Sequence, residues 1–539
     1  MSVWNRWFRR PSETRALANI SETSTADGRS SDSKEEKVVD LLADEKVTDS
    51  PPTTDTLTPV SQKPVQREGE PSTVPDGNGR EILTEAGAYD RLGFCFSWYK
   101  KWYILTIVFL VQVSMNFNTS LYSNAIEGMT TTFGISAQAG RVGACVFLIS
   151  YAFGCELWAP WSEDFGRWPI MQMSLFLVNL WQIPVALAQN YGTVVIGRVL
   201  GGFSSAGGSV TLAMVADMWE PEDQQWAVAF VVFSSVGGSV LGPVVGGFTE
   251  MYLDWRWSIW LQLFFGLFVQ ILHLLFVPET RSTILLDCIA KERRQAGGNQ
   301  RIYGPNEMIP LKERLAWGEI VRTWWRPFKM FFKEPIVSVL SLLSGFSDAL
   351  IFMFIQSFAL VYARWGFNSV EVGLTFIPIL IGYFIGYGIF GFAIKRNIAL
   401  RAKQPNSEYA QYEHRLFYLL WTAPLLPLGL FGFAWTSTGP PLPWIASMIF
   451  SAMVGIANYA IYMATIDYMI TAYGPYSASA TGGNGFSRDF LAGILTLPAA
   501  PFYKSESDIV LPFSQHVNLS QTLVLVEILL HGHPLSSGS

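Results

Sequence analysis

Between residues 102 and 500 the chain is cut into apolar runs of about twenty residues, the length a helix needs to cross roughly 30 Å of hydrocarbon. That repeat constrains the fold more than any other feature. Charged residues make up 15% of the 539-residue chain, against about a quarter in a soluble protein. The sequence therefore predicts an all-α, polytopic membrane protein. Its opening stretch, "MSVWNRWFRRPSETRALANI", lacks the apolar core of a cleavable signal, so the first span is expected to act as the targeting signal.

Spans are expected near 102–122, 137–158, 169–188, 193–216, 226–249 and 257–277, and again near 336–360, 370–394, 415–435, 443–468 and 477–500. Residues 1–95, rich in Ser, Thr, Pro, Asp and Glu, lack the apolar content to offset chain entropy and read as a disordered tail. An N-terminal six-helix half (96–277), a polar central loop (278–334) and a second half carrying spans seven to eleven (335–503) follow. The last stretch, 504–539, is atypical: its best apolar run, Leu519 to Leu530, is interrupted by Gln521 and Glu527. A charge at mid-membrane costs about 3 kcal/mol on insertion scales. A twelfth span is expected to be degenerate or missing.

The central loop carries Arg281, Lys291, Arg293, Arg294, Lys312 and Arg314, and the 395–415 loop adds Lys395, Arg396, Arg401, Lys403 and Arg415. Alternate loops are nearly bare, with Arg256 and Arg364 the main exceptions. Basic loops stay in the cytoplasm, which predicts a multi-pass protein of the cell membrane with a cytosolic N-terminus and cytosolic central loop. Six spans, a linker and about six more imply two halves that arose as repeats.

The fifth span contains "GGSVLGPVVGG", Gly237 to Gly247, although each interior Gly costs a helix about 1 kcal/mol against Ala, and Pro about 3. In lipid, helices associate by close packing, and small residues let backbones approach. Gly238, Gly242 and Gly246 recur every four residues as a flat stripe. Gly247 widens it, and Pro243 removes one helix hydrogen bond and permits a bend. The stripe suits an interface that rocks or seals; a static glycine-packed pair is the plainer reading.

"GSVLGPVVGG" resembles the antiporter motif of the major facilitator superfamily, which falls in the fifth span. "WSEDFGRWP" resembles that superfamily's loop motif between spans two and three, in the acidic-x-x-Gly-Arg form. "GRVLGGFSSAGGS" resembles the fourth-span motif, with Arg198 as its basic residue. "WRWSIWLQ", "VPETR" and "GFSRDFLAG" resemble the fungal drug:proton antiporter branch. The match covers about residues 95–503. The resemblance implies a major facilitator fold, two six-helix halves related by a pseudo-two-fold axis. Such a protein works as a monomer in the bilayer and exports a small organic molecule, a drug or secondary metabolite, against protons by alternating access. It implies that the glycine stripe limits proton leak and that Glu163, Asp164, Gly166, Arg167 and Asp217 form a cytosolic latch. This sequence departs from the pattern at Trp168, where a second basic residue is expected, and around Gln224 and Gln225, where another is replaced.

Charges inside a span are costly and normally face a cavity or a partner. Arg198 and Asp348 are therefore the candidates for proton coupling; the alternatives are an arginine snorkelling outward and an aspartate bonded to a neighbouring helix. Glu156 is read as reaching water near the end of span two. Asn116 and Asn118 in span one, with Tyr383, Tyr387, Tyr459 and Tyr462, are candidates to line the substrate cavity, packing being the plainer role for the tyrosines. Asn118 and Asn518 head glycosylation sequons. Polyamine export would call for several acidic groups in the cavity; only Asp348, Glu127 and Asp467 qualify, which favours a neutral or anionic metabolite or a lipophilic drug. A nutrient carrier, a non-transporting sensor and an impaired carrier are the other readings. There is no phosphate loop and no His-Glu-x-x-His pair, and the four cysteines lack metal-ligand spacing. No enzyme, cofactor, metal or nucleic-acid partner is expected.

Overall fold

The computed structural model describes residues 71–501, apart from 77–78, 206, 221–222, 298, 309–316, 405–406, 408–412, 474–476 and 500. The expected C-terminal features, the doubtful twelfth span and Asn518, lie outside the described residues. The first half comprises α1 (Trp98–Leu121), α2 (Ile126–Phe133), α3 (Ala137–Phe165), α4 (Arg167–Ala186), α5 (Tyr191–Ser204), α6 (Gly207–Met218), α7 (Gln225–Tyr252) and α8 (Arg256–Phe276). Two linker helices follow, α9 (Ser282–Gln295) and α10 (Trp317–Lys333). The second half comprises α11 (Pro335–Tyr362), α12 (Ser369–Leu374), α13 (Ile377–Lys403), α14 (Glu413–Thr422), α15 (Leu425–Thr436), α16 (Trp444–Tyr473) and α17 (Ser477–Thr496).

Among the described residues, nine helical stretches are long and apolar enough to cross a membrane. Two of the eleven expected spans are not among them, for different reasons. The fourth is divided into α5 and α6, because the backbone leaves helical geometry at Ser205 (φ −82°, ψ 115°). The eleventh, α17, is a helix of 20 residues, but its serines, glycines and the Arg488–Asp489 pair lower its hydropathy. It is sheltered by α3, α11 and α16. A polar helix enclosed by neighbours in this way escapes the hydrocarbon that would penalise it.

The halves meet along two seams, α3 with α17, and α7 with α12 and α13. The α7 glycines serve both their own half and the second seam. A Cβ on Gly238 would fall 2.8 Å from the Val113 carbonyl, and one on Gly246 2.2 Å from Asn124 Oδ1, so this face lies flush on α1 and its C-terminal extension. Gly247 turns the other way: its Cβ would meet the Ser369 carbonyl at 2.4 Å, while Gly373 lies against the Pro243 carbonyl. One helix thus packs at backbone distance against its own half and against the other. Pro243 is accommodated inside α7, which continues through it to Tyr252.

The disordered tail expected up to residue 95 is corrected over residues 71–95. Thr73–Asp76 (β1) pairs antiparallel with Arg80–Leu83 (β2), and β2 pairs in parallel with Ile302–Tyr303 (β3) from the linker. Leu83, Ala88 and Leu92 bury themselves against Leu285, Leu286, Ile289 and Ala290 of α9. Arg91 pairs with Glu292 at 2.7 Å. The tail alone is too polar to fold; the apolar face of α9 supplies the missing half of its core. The 278–334 stretch is correspondingly not a simple loop.

Gly242→Ala tests the stripe. The new methyl would overlap Ser120 Oγ and crowd the Leu121 amide. It should destabilise the detergent-purified chain by about 1–3 kcal/mol in thermal unfolding, the usual cost of overpacking. Gly237→Ala, whose Cβ would have no neighbour nearer than 3.9 Å, should be neutral or stabilising by up to about 1 kcal/mol.

Candidate functional site

Charged residues at the end of the bundle that carries the basic loops assemble into two clusters. In the first, Arg167 at the start of α4 donates through Nε to Asp217 Oδ2 (2.9 Å) near the end of α6. Arg281, just beyond α8, approaches Asp217 Oδ1 at 3.5 Å. Arg281 thus brings a second cation to a cluster in which Trp168 is not basic. Glu279 accepts from the backbone N–H groups of Arg167 (2.9 Å), Trp168 (3.1 Å), Thr280 (2.9 Å) and Arg281 (2.9 Å). It therefore caps α4 from the end of α8, where a carboxylate complements the helix dipole. Burial pushes its carboxyl above the usual range, against the four N–H groups that pull it down. Gly166 has φ +101°, and a Cβ there would sit 2.4 Å from Glu279 Oε2, so conformation and space both demand glycine. Glu163 lies beside Arg167 on a cavity wall. Asp164 is half-buried at the end of α3.

The second cluster occupies the equivalent place in the other half. Arg415, at the start of α14, pairs with Asp467 of α16, and Gln225 donates from α7 to Asp467 Oδ2 (2.7 Å). Arg401 donates in turn to Gln225 Oε1 (3.2 Å). Asp467 belongs to this cluster and not to a polyamine site, and Glu127 is exposed. Sequence reasoning treated Arg415 as a loop charge. Its signal was positional: Arg415 and Asp467 repeat the placement of Arg167 and Asp217.

Arg198 does not snorkel. It is 1% exposed and lies over the rings of Phe147 (3.9 Å) and Tyr122 (4.5 Å). Nη1 donates to Asn118 Oδ1 (2.9 Å), and Nε to the Gly143 carbonyl (3.4 Å). Among the described residues no acid pairs with it, and Nη2 is buried without a hydrogen bond. Asn118, 2% exposed, also accepts from Gln182 at 2.9 Å. The sequon reading of Asn118 is corrected by this burial: a glycan cannot be carried inside the helix bundle.

A cavity of about 210 Å³ lies between the halves and adjoins the first charged cluster. Its walls carry Glu156, Glu163, Arg167, Asp217 and Arg281 from the N-terminal side, and Tyr462, Arg488 and Asp489 from the C-terminal side. Arg488 stands 3.6 Å from Asp348 and 3.5 Å from Asp489, above the Tyr462 ring (4.2 Å). Asp348 is thus bonded to a neighbouring helix and shares its cation. Of the six expected cavity residues only Tyr462 lines this space. Asn116 donates to the Gln112 carbonyl under Gly238, and Tyr383 is fully buried on α13. Tyr387 and Tyr459 pack with Phe233 across the α7 seam. Glu156, Arg488 and Asp489 were missed as a group, because 333 positions separate Glu156 from Asp489 and only the fold brings them together.

A bundle of two halves around a charged internal cavity, with matched ion-pair clusters at one end, defines a membrane transporter. The Major Facilitator Superfamily model matches residues 108–496, and the chain belongs to that superfamily. It is 31% identical over 411 residues to the MFS-type transporter acdC of Aspergillus candidus, covering 75% of this chain and 79% of that one. It is 34% identical over 368 residues to the efflux pump atB of Aspergillus terreus, covering 67% and 76%. Among solved structures, the proton:xylose symporter XylE superposes with a TM-score of 0.54 at 16% identity, covering 81% of this chain and 97% of that one. The human organic anion transporter MFSD10 gives 0.51 at 16%, covering 80% and 99%. These place the chain in the all-α major facilitator fold.

Asp217→Asn and Asp467→Asn each strip a buried guanidinium of its carboxylate. Each should destabilise the purified chain by about 3–5 kcal/mol in thermal unfolding, whereas exposed ion pairs contribute about 0–1 kcal/mol. A similar loss from both substitutions is the outcome that matches two equivalent clusters.

Proposed function

We propose that this protein exports a small organic molecule, such as a secondary metabolite or drug, across the cell membrane in exchange for protons. It works as a monomer whose N-terminus and basic end face the cytoplasm. The observation that carries the reading is the charged cavity between the halves, adjoining the basic end. Basic loops mark the cytoplasmic face, so cargo enters this cavity from the cell. The efflux pump similar to this chain supports the direction. Alternating access then rocks the halves about their seams, the α7 glycines giving a close, proton-tight fit. Asp348 shares Arg488, a residue of the cavity wall, with Asp489 and so sets the charge beside the path, and Arg198 contributes a fixed positive charge within the N-terminal half.

A cationic, amine-bearing cargo is the second reading the cavity favours. Its walls hold Glu156, Glu163, Asp217 and Asp489, more carboxylates than the sequence had suggested.

Paired metabolite profiles of cells and medium test the proposal. Cells express the native chain or Asp348→Asn at matched membrane levels, with and without a protonophore. A compound should accumulate in the medium only with the native chain and an intact gradient. Depletion of a compound from the medium would instead establish uptake, and indistinguishable profiles would remove the export reading.

A further inference from the structure

Glu156 lines the cavity, and among the described residues no cation pairs with it. Its side chain is 1% exposed, and neither carboxylate oxygen has a hydrogen-bond partner. It points at α17: a Cβ on Gly482 would stand 2.8 and 2.9 Å from its two oxygens. Any side chain at position 482 would crowd this acid from α17. The neighbouring charges are already committed. Arg488 serves Asp348 and Asp489, so one guanidinium answers two carboxylates. Arg167 and Arg281 are held by Asp217.

The other groups facing it from packed elements do not neutralise it. From α16 comes Tyr462, whose ring lies under Arg488. α6 presents Asp217 and α3 itself presents Glu163, both acids, while Tyr151 on α3 is buried with its hydroxyl unpartnered. α10 brings Pro327 and Phe331 against α17, and its Arg326 and Lys329 are exposed.

We propose that Glu156 is the group that binds and releases the exchanged proton, and that its ionisation parts α3 from α17. The proposal rests on the antiport reading and names its coupling site. A buried carboxylate with neither hydrogen bond nor cation is a costly state, so the closed seam selects the neutral acid. When the proton leaves for water in the cavity, the anion demands hydration, and the close contact at Gly482 cannot supply it. The seam then opens. Reprotonation restores an uncharged surface that α17 can cover again.

The test uses the full chain in phosphatidylcholine nanodiscs without cargo. Dicyclohexylcarbodiimide adds only to protonated carboxyls, and peptide mass spectrometry locates the adduct. Glu156 should be modified, and the yield should fall about tenfold per pH unit beyond its midpoint. A second readout follows the seam itself, by maleimide labelling of Ala159→Cys on the cavity wall. In the native background its labelling should rise with pH more steeply than the thiol's own ionisation allows. With Glu156→Gln, a near-isosteric neutral mimic, it should follow the thiol alone, and Glu156→Asp should restore the steeper rise.

Absence of the Glu156 adduct at every pH, or an unchanged steep rise in Glu156→Gln, would overturn the proposal. Neither readout involves cargo or a gradient, so a failure here is distinct from a failure of export, which the medium profiles decide.

Discussion

A charge buried in a helix bundle that stands in lipid has to be answered within the protein, because the surrounding hydrocarbon offers neither water nor counter-ions. Much of this structure is arranged around that constraint. Asp217 answers Arg167 and Arg281; Asp467 answers Arg415; Asp348 and Asp489 share Arg488. Arg198 is held by an amide oxygen, backbone carbonyls and two aromatic faces. Each solution fixes which helices must be neighbours, so the charges specify the assembly as much as they stabilise it.

The second constraint is distance. Helices in lipid gain little from apolar burial against one another and associate by fitting closely. Glycine supplies that fit within the N-terminal half and at both seams: Gly242 and Gly246 against α1 and its extension, Gly247 with Gly373 across the halves, and Gly482 over Glu156. The worst helix formers stand where backbone must touch backbone. Their propensity cost is offset by contacts that no larger residue permits.

Much of this was legible in the sequence. Apolar runs gave the spans, the four-residue glycine spacing gave the packing face of α7, and "WSEDFGRWP" marked the α3–α4 turn where Gly166 and Arg167 act. What stayed hidden depends on contacts between distant positions. Nothing local to Arg415 announces Asp467, and "VPET" does not by itself disclose that Glu279 caps a helix more than a hundred residues earlier. Residues 71–95 were misread because their strands are four residues long and their core is completed by α9. Glu156 looked like an acid reaching water, since burial beneath Gly482 is a property of two helices and not of one.

The two ion-pair clusters occupy equivalent places but are not equivalent in what they join. Arg167, Asp217 and Arg281 all belong to the N-terminal half and the segment just after it, so this cluster does not bridge the halves. In the other cluster Gln225 reaches across from α7 to Asp467 and Arg401. A neutral amide thus spans the two halves at this end, where the resemblance implies a basic residue. Releasing it separates no pair of opposite full charges, and its strength is little affected by dissolved salt. At the basic end the two halves are therefore joined through a neutral amide, while full ion pairs bind together the helices on either side of it.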